Sequence, residues 1–364
     1  MARLNSSKRL GSYPDSSSSP AIANATDSGP NHAIWTTTDF EGTSDMGTLA
    51  GGGAKALARK DHSTFRSVNP SQSTPFTPSP ISYFIVGGGG GGANGNTAGG
   101  GGGGGGYATG SFTIGASDIS VIVGRGGYGT TPTVRGADAP NTVPGIGQGG
   151  DTTLGSNIAY GGGRGAVGGG SGNSAGPSEC DAGNSNASGG GAARFHPTAG
   201  TGGPQGNDGG STPGCPSFGS AGGGGAGGAG DPFACHPTSQ AGLGGDGIQC
   251  PSPFRPYNYG ARGPGGATNY FCGGGGGAGW NSFNVHHGGF GGGGGNIKDD
   301  NTADSNITGI QTVSGVPSSG GGGGGNGSGR NPYGPVPAGE VGAPSGLTDS
   351  RGGNGGPGII MIKW

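Results

Sequence analysis

Side chains able to do chemistry are gathered in two stretches of an otherwise plain sequence. The first, "DPFACHPTSQAGLGGDGIQCPSPFRPYNYGARGPGGATNYFC", holds Phe233, Phe254, Arg255, Tyr257, Tyr259, Tyr270 and Phe271. The second, "GWNSFNVHHGGF", holds Trp280, Phe283, His286, His287 and Phe290. Aromatic rings and Arg on loops offer large contact area for little lost side-chain freedom, so the chemistry they suit is recognition. Phe254, Arg255, Tyr257, Tyr259, Trp280, Phe283 and His286 are therefore the expected receptor-binding set. The plain alternative is that such rings pack on the body of the protein and seal it. Tyr257 and Tyr259, amid Pro, Arg and Asn, are the pair least expected to be buried.

Turnover is not expected. No Walker lysine follows a glycine run, and Gly-x-Gly-x-x-Gly matches are inevitable in this composition and carry no information. No Ser-His-Asp triad or carboxylate pair is legible, so the chain reads as a non-enzyme without a cofactor. Cys235-His236, with Cys215, Cys250 and the His286-His287 pair, supplies zinc-ligand types but no Cys-x-x-Cys or His-x-x-x-His spacing, and no metal is expected. Cys180, Cys215, Cys235, Cys250 and Cys272 are odd in number, which leaves at least one without an internal partner. One or two disulfides that staple loops after release stand as an expectation beside free thiols. Asp151, after "GQGG", is expected to cap a turn.

These side chains need something rigid behind them, and the composition is unpromising. The chain has 364 residues, of which 102 are Gly and 27 Pro; 28% are hydrophobic, too few for a conventional core of that size. Such a Gly and Pro content without a Gly-X-Y period is ordinarily read as disorder. Yet only 10% of residues are charged and the formal net charge is -2, so little repulsion keeps the chain extended. The same balance lacks the basic footprint that nucleic acid or an anionic membrane would need. No apolar run is long enough to span a bilayer, and the first residues lack the apolar core of a secretory signal. The expectation is synthesis in a cytoplasm and exit, if any, by another route, of which release inside an assembled virus particle is one.

Three regions differ in composition. Residues 1–50, rich in Ser, Thr, Asn and Asp, read as an extended attachment segment that borrows burial from a partner. Residues 51–80 read as a basic then Pro-rich linker, with Pro70, Pro75, Pro78 and Pro80 favouring an extended connector. Residues 81–364 form the glycine-rich domain. There, "YFIV", "SFTIGASDISVIVG" as two short strands, and the terminal "GIIMIKW" read as strands, and apolar residues thus gather at both ends of the glycine region. A sheet formed by the two ends would close it as a base.

The glycine runs between these ends, such as Gly87 to Gly92, Gly99 to Gly106 and Gly320 to Gly325, pose an energetic problem, because ordered Gly typically costs about 0.5–1 kcal/mol relative to Ala. One solution is a polyproline-II-like helix with three residues per turn, whose N–H and C=O groups point outward. Rods of this kind can bond sideways only when no Cβ lies between them. The expected fold is therefore a mostly irregular, packed polyglycine II sandwich with a few short β-strands at its base.

"SYFIVGGGGGG", "GGDTTLGSNIAYGGGRGAVGGG" and "GGNGGPGIIMIKW", in that order, resemble the glycine-rich domain common in bacteriophage tail and virion proteins. The architecture is also similar to the tip adhesins of T-even-like long tail fibres, in which polyglycine II rods display loops that bind the host surface. The N-terminal segment does not match the fibre-attachment domain of those adhesins. The resemblance implies a virion surface protein, a tail-fibre or tail-tip adhesin, with other virion proteins bound through residues 1–80 and a host surface protein or glycan bound by the loops. A capsid decoration protein or extracellular filament subunit is the alternative.

Overall fold

The computed structural model describes residues 32–37, 43–49, 63–67, 80–93, 98–113, 119–129, 147–167, 183, 185–193, 198–212, 219–233, 241–257, 259–278, 287–295, 314–325 and 352–363. Eleven short strands lie among them: β1 (His32–Thr37), β2 (Thr43–Leu49), β3 (Ser63–Ser67), β4 (Pro80–Val86), β5 (Tyr107–Thr113), β6 (Ile119–Gly124), β7 (Thr152–Leu154), β8 (Asn157–Ala159), β9 (Ile248–Gln249), β10 (Tyr270–Phe271) and β11 (Ile359–Lys363). The only helical pieces among the described residues are two 3-10 turns, Ser252–Tyr257 and Pro264–Gly266. All strand pairing is antiparallel.

A five-stranded sheet in the order β3-β1-β11-β4-β5 lies beside a four-stranded sheet in the order β2-β6-β7-β8. The two ends of the glycine region meet as expected, with Val86 opposite Ile359 and Tyr83 opposite Ile362. The strand period of two gives β4 and β11 a buried residue on each face. Ile81, Tyr83, Ile85, Ile360 and Ile362 pack against Val121, Val123 and Leu154 of the second sheet. Phe84, Val86, Ile359 and Met361 face the other way, against Ile34, Phe254, Tyr257 and Phe271. The "SFTIGASDISVIVG" stretch does form two strands, but they enter different sheets instead of pairing with each other. The residues before 80 also join this base, because β1 pairs with β11 and β2 with β6.

The "GGDTTLGSNIAY" stretch is a hairpin that ties the sheets to the glycine runs. Leu154 fills the core, and Gly155 turns the chain at φ +60°. Asp151 Oδ1 accepts the Gly161 N–H at 2.8 Å, ten residues on, and so ties the open end of the hairpin instead of capping a local turn as expected. The buried Thr152 hydroxyl donates to Val86 O at 2.7 Å and accepts from Gly124 N at 2.8 Å. One side chain thus joins β4, β6 and β7 at the level where sheets give way to glycine.

Beyond that level the strands continue straight into glycine segments. In 99–106 the amide partners change with every residue and return every third. Gly100, Gly103 and Gly106 donate to Ala166, Gly163 and Tyr160; Gly101 and Gly104 to Ala221 and Gly224; Gly102 and Gly105 to Gly323 and Gly320. Its carbonyls accept from three further segments, through Ala93, Gly90 and Gly87, through Gly191 and Ser188, and through Gly275 and Ala278. The same period governs 87–93, whose amides go in turn to 100–106, 147–150 and 353–356. Buried backbone groups are thereby satisfied without a strand ladder.

Close approach explains why these residues are glycine. A Cβ on Gly102 would lie 2.7 Å from the carbonyl carbon of Gly90, and one on Gly103 equally near that of Ser188. Peripheral segments relax the rule on one side in three. Arg125 and Tyr128 in 124–129, Arg164 and Val167 in 161–167, and Leu243 and Asp246 in 241–247 recur three apart and face outward, at least partly exposed.

Candidate functional site

The described candidate recognition residues, Phe254, Arg255, Tyr257 and Tyr259, lie at the sheet end of the molecule. After the segment 241–247 the chain reaches the sheets and folds over their outer face as the short β9-β10 pair and the two 3-10 turns. Phe254 is 2% and Tyr257 8% exposed, and both pack with Phe84, Phe271 and Met361. The Phe84 ring meets Phe271 edge-on at 5.1 Å between centroids and lies 6.1 Å from Phe254. Phe254 and Tyr257 therefore seal the base and offer no receptor surface, contrary to the expectation from their loop setting. The physical reason is the apolar face that Phe84, Val86, Ile359 and Met361 would otherwise leave bare.

Their neighbours divide. Arg255 is exposed, and its Nε donates to Cys250 O at 3.1 Å. Tyr259 is half-buried against the same cluster, and its carbonyl accepts from Asn269 Nδ2 at 3.0 Å. Asn269 holds a positive φ of 65°, and its side chain fixes the turn. Of the four candidates Phe254, Arg255, Tyr257 and Tyr259, Arg255 is thus the exposed one. Trp280, Phe283 and His286 lie outside the described residues, as do Cys180, Cys215 and Cys235.

Cys250 and Cys272 are free thiols in the apolar cluster, the second of the two alternatives left open for the cysteines. Burial pushes the Cys250 thiol up to about 11, with the Arg255 charge pulling weakly the other way, and burial raises Cys272 further. Both are packing residues with little thiolate at neutral pH. Burial likewise lifts the Tyr257 hydroxyl to about 12. Among the described residues no three His, Cys, Asp or Glu side chains gather where they could hold a metal ion, and no helix is long and apolar enough to cross a membrane.

The end away from the sheets has a different construction. Hydrogen-bond registers place Ala93 beside Gly100, Ala278 beside Gly99 and Ser220, Gly325 beside Gly276, and Gly129 beside Asn354. Gly87, Gly106, Tyr160 and Gly320 register at the sheet end instead. Turns at the sheet end are tight: Gly225 N–H reaches Gly228 O, and positive φ values at Gly291, Gly292, Ser318 and Gly320 reverse the chain within a few residues. Gly129, Ala278 and Gly325, at the far end by these registers, are each the last described residue of their segment. Trp280, Phe283 and His286 belong to the connection between Ala278 and His287.

A family model described as a glycine-rich domain matches residues 64–364, and the chain belongs to that family. The match includes the glycine-rich domain expected from the sequence and begins earlier than residue 81. No curated protein matches the chain, and no solved structure does either.

Proposed function

We propose that the glycine segments are polyglycine II helices bonded sideways into a lattice, and that the lattice is the scaffold of a virion surface adhesin of the phage tail-fibre or tail-tip kind. The observation that carries the scaffold is the three-residue return of hydrogen-bond partners along 99–106, the period of a threefold helix with no internal hydrogen bonds. Adhesion follows from what such a body is suited to do. It holds chain crossings at fixed positions at one end, where several loops can contact a host protein or glycan together. Rigid scaffolds with variable loops concentrate recognition in this way.

Within this reading the recognition residues are Trp280, Phe283 and His286, whose connection leaves the far end, while Phe254 and Tyr257 keep the base closed. The low charge and absent catalytic constellation fit adhesion without turnover. The order of apolar strand, Gly-Gly-Asp-Thr-x-Leu-Gly hairpin and closing strand supports the phage assignment through its resemblance to tail and virion proteins.

The experiment is binding of the purified full chain to host cells from the source material, with W280A/F283A and Y257A compared. The proposal expects loss of binding in W280A/F283A with an unchanged melting temperature, and destabilisation in Y257A. Antibody label at a tail or fibre tip in electron micrographs is the companion result; label over a capsid or along a filament overturns the adhesin.

A further inference from the structure

Among the described residues, the edge strands of the two sheets are not alike. The edge strand β3 carries Arg66, β2 is broken by a register shift between Asp45 and Thr48, and β8 is three residues long. Charge, a bulge and shortness are the devices by which sheets avoid pairing with another chain. β5 has none of them. Its seven residues, "YATGSFT", pair with β4 in unbroken register from Pro80–Thr113 to Val86–Tyr107, contain no charge and no Pro, and leave Thr109, Gly110, Ser111 and Thr113 exposed.

We propose that β5 is the interface between two copies of this chain, joined edge to edge and antiparallel about Gly110. The strand is complementary to itself in that register. Tyr107 lies opposite Thr113 of the second copy, Ala108 opposite Phe112, Thr109 opposite Ser111, and Gly110 opposite its own counterpart. Small therefore faces large at Ala108 and Phe112; the Thr109 hydroxyl, which donates to Tyr83 O at 2.9 Å, keeps a lone pair to accept from the Ser111 hydroxyl opposite. With no charge on either side, two copies meet without repulsion, and a charged partner strand finds no counterpart. Residues of one parity pair with residues of the same parity, so whichever alternate set turns its N–H and C=O away from β4 meets the matching set. The outcome is a continuous sheet through a twofold axis, the commonest symmetry of soluble oligomers. Such a pair would carry two lattices on one base.

The test is the mass of the full chain in solution by light scattering, over a dilution series. The expected result is twice the 34.2 kDa of one chain at high concentration, falling to 34.2 kDa for T109K/S111K and for T109E/S111E, and returning to twice that mass when the two variants are mixed. Both positions are exposed, and a melting curve for each variant checks that it folds. Amide exchange on the unmodified protein is independent of the variants: outward-facing amides of 107–113 gain protection as concentration rises. An unmodified chain that stays at 34.2 kDa, a T109K/S111K variant that stays dimeric, or amides of 107–113 that exchange at one rate at all concentrations would each overturn the proposal.

Discussion

The base and the glycine lattice solve the same problem with opposite means. In the base, Phe84, Ile85, Leu154, Ile360 and Met361 are fully buried, and apolar area removed from water supplies the driving force. In the lattice, Gly99 to Gly106 bury backbone and almost nothing else, and successive peptide groups reach different neighbouring segments, returning to the same one every third residue. A core of side chains tolerates some repacking, because methyl groups can be exchanged for others of similar volume. A core of peptide groups has no such slack, since the first atom added to Cα lies inside its neighbour. Glycine is thus the large residue of this fold in the sense that matters: it is the one that fits.

The contrast breaks most visibly at a lattice centre. Gly102→Val should exceed about 5 kcal/mol, comparable with the whole stability of a domain, and abolish the cooperative melt. A Gly102→Val protein that melts normally would mean the lattice is not packed backbone on backbone. Phe84→Ala, at the ring cluster of the base, should destabilise by about 3–5 kcal/mol through lost burial and a cavity, read as a lowered denaturant midpoint.

A third effect belongs to the base alone. Cys250 ionises near 11 when folded against an ordinary value of 9.0, because its thiol is desolvated. Its contribution is complete below about pH 9, where both states are protonated, and is lost as pH rises from about 9 to about 11 and the unfolded state sheds the proton first. Stability should fall by about 1–2 kcal/mol over that window from this group. Cys250→Ala should lessen the slope in chemical denaturation at a series of pH values, the remainder coming from Cys272 and Tyr257; an unchanged slope would remove the assignment. The smallest effect is expected at a peripheral lattice position that faces water. Leu243, 43% exposed, should accept Ser within about 0.5 kcal/mol. The ratio between Gly102→Val and Leu243→Ser is the sharpest measure of the threefold sidedness.

Much of the base was legible. "YFIV" and "GIIMIKW" have the apolar density of buried strands, and their places at both ends of the glycine region imply that they meet, as β4 and β11 do. The fates of Phe254 and Tyr257 were not legible. A Pro-rich loop with two aromatics reads the same whether its rings point to water or to a sheet, and what decides is the bare face of Phe84 and Met361, more than a hundred residues away in one direction and in the other. The outward residues three apart, as in Arg125 and Tyr128, were present as a signal but invisible until the period of the lattice was known.

The sequence by itself determined where side chains are forbidden, because a run such as Gly99 to Gly106 leaves backbone as the only packing surface, and it determined that apolar strands stand at both ends. Tertiary structure decided which glycine segments are neighbours and which aromatics seal the base. Glycines carry no side chain to encode a partner, so segment order in the lattice is set by the strands they extend and by the hydrogen-bond register between them.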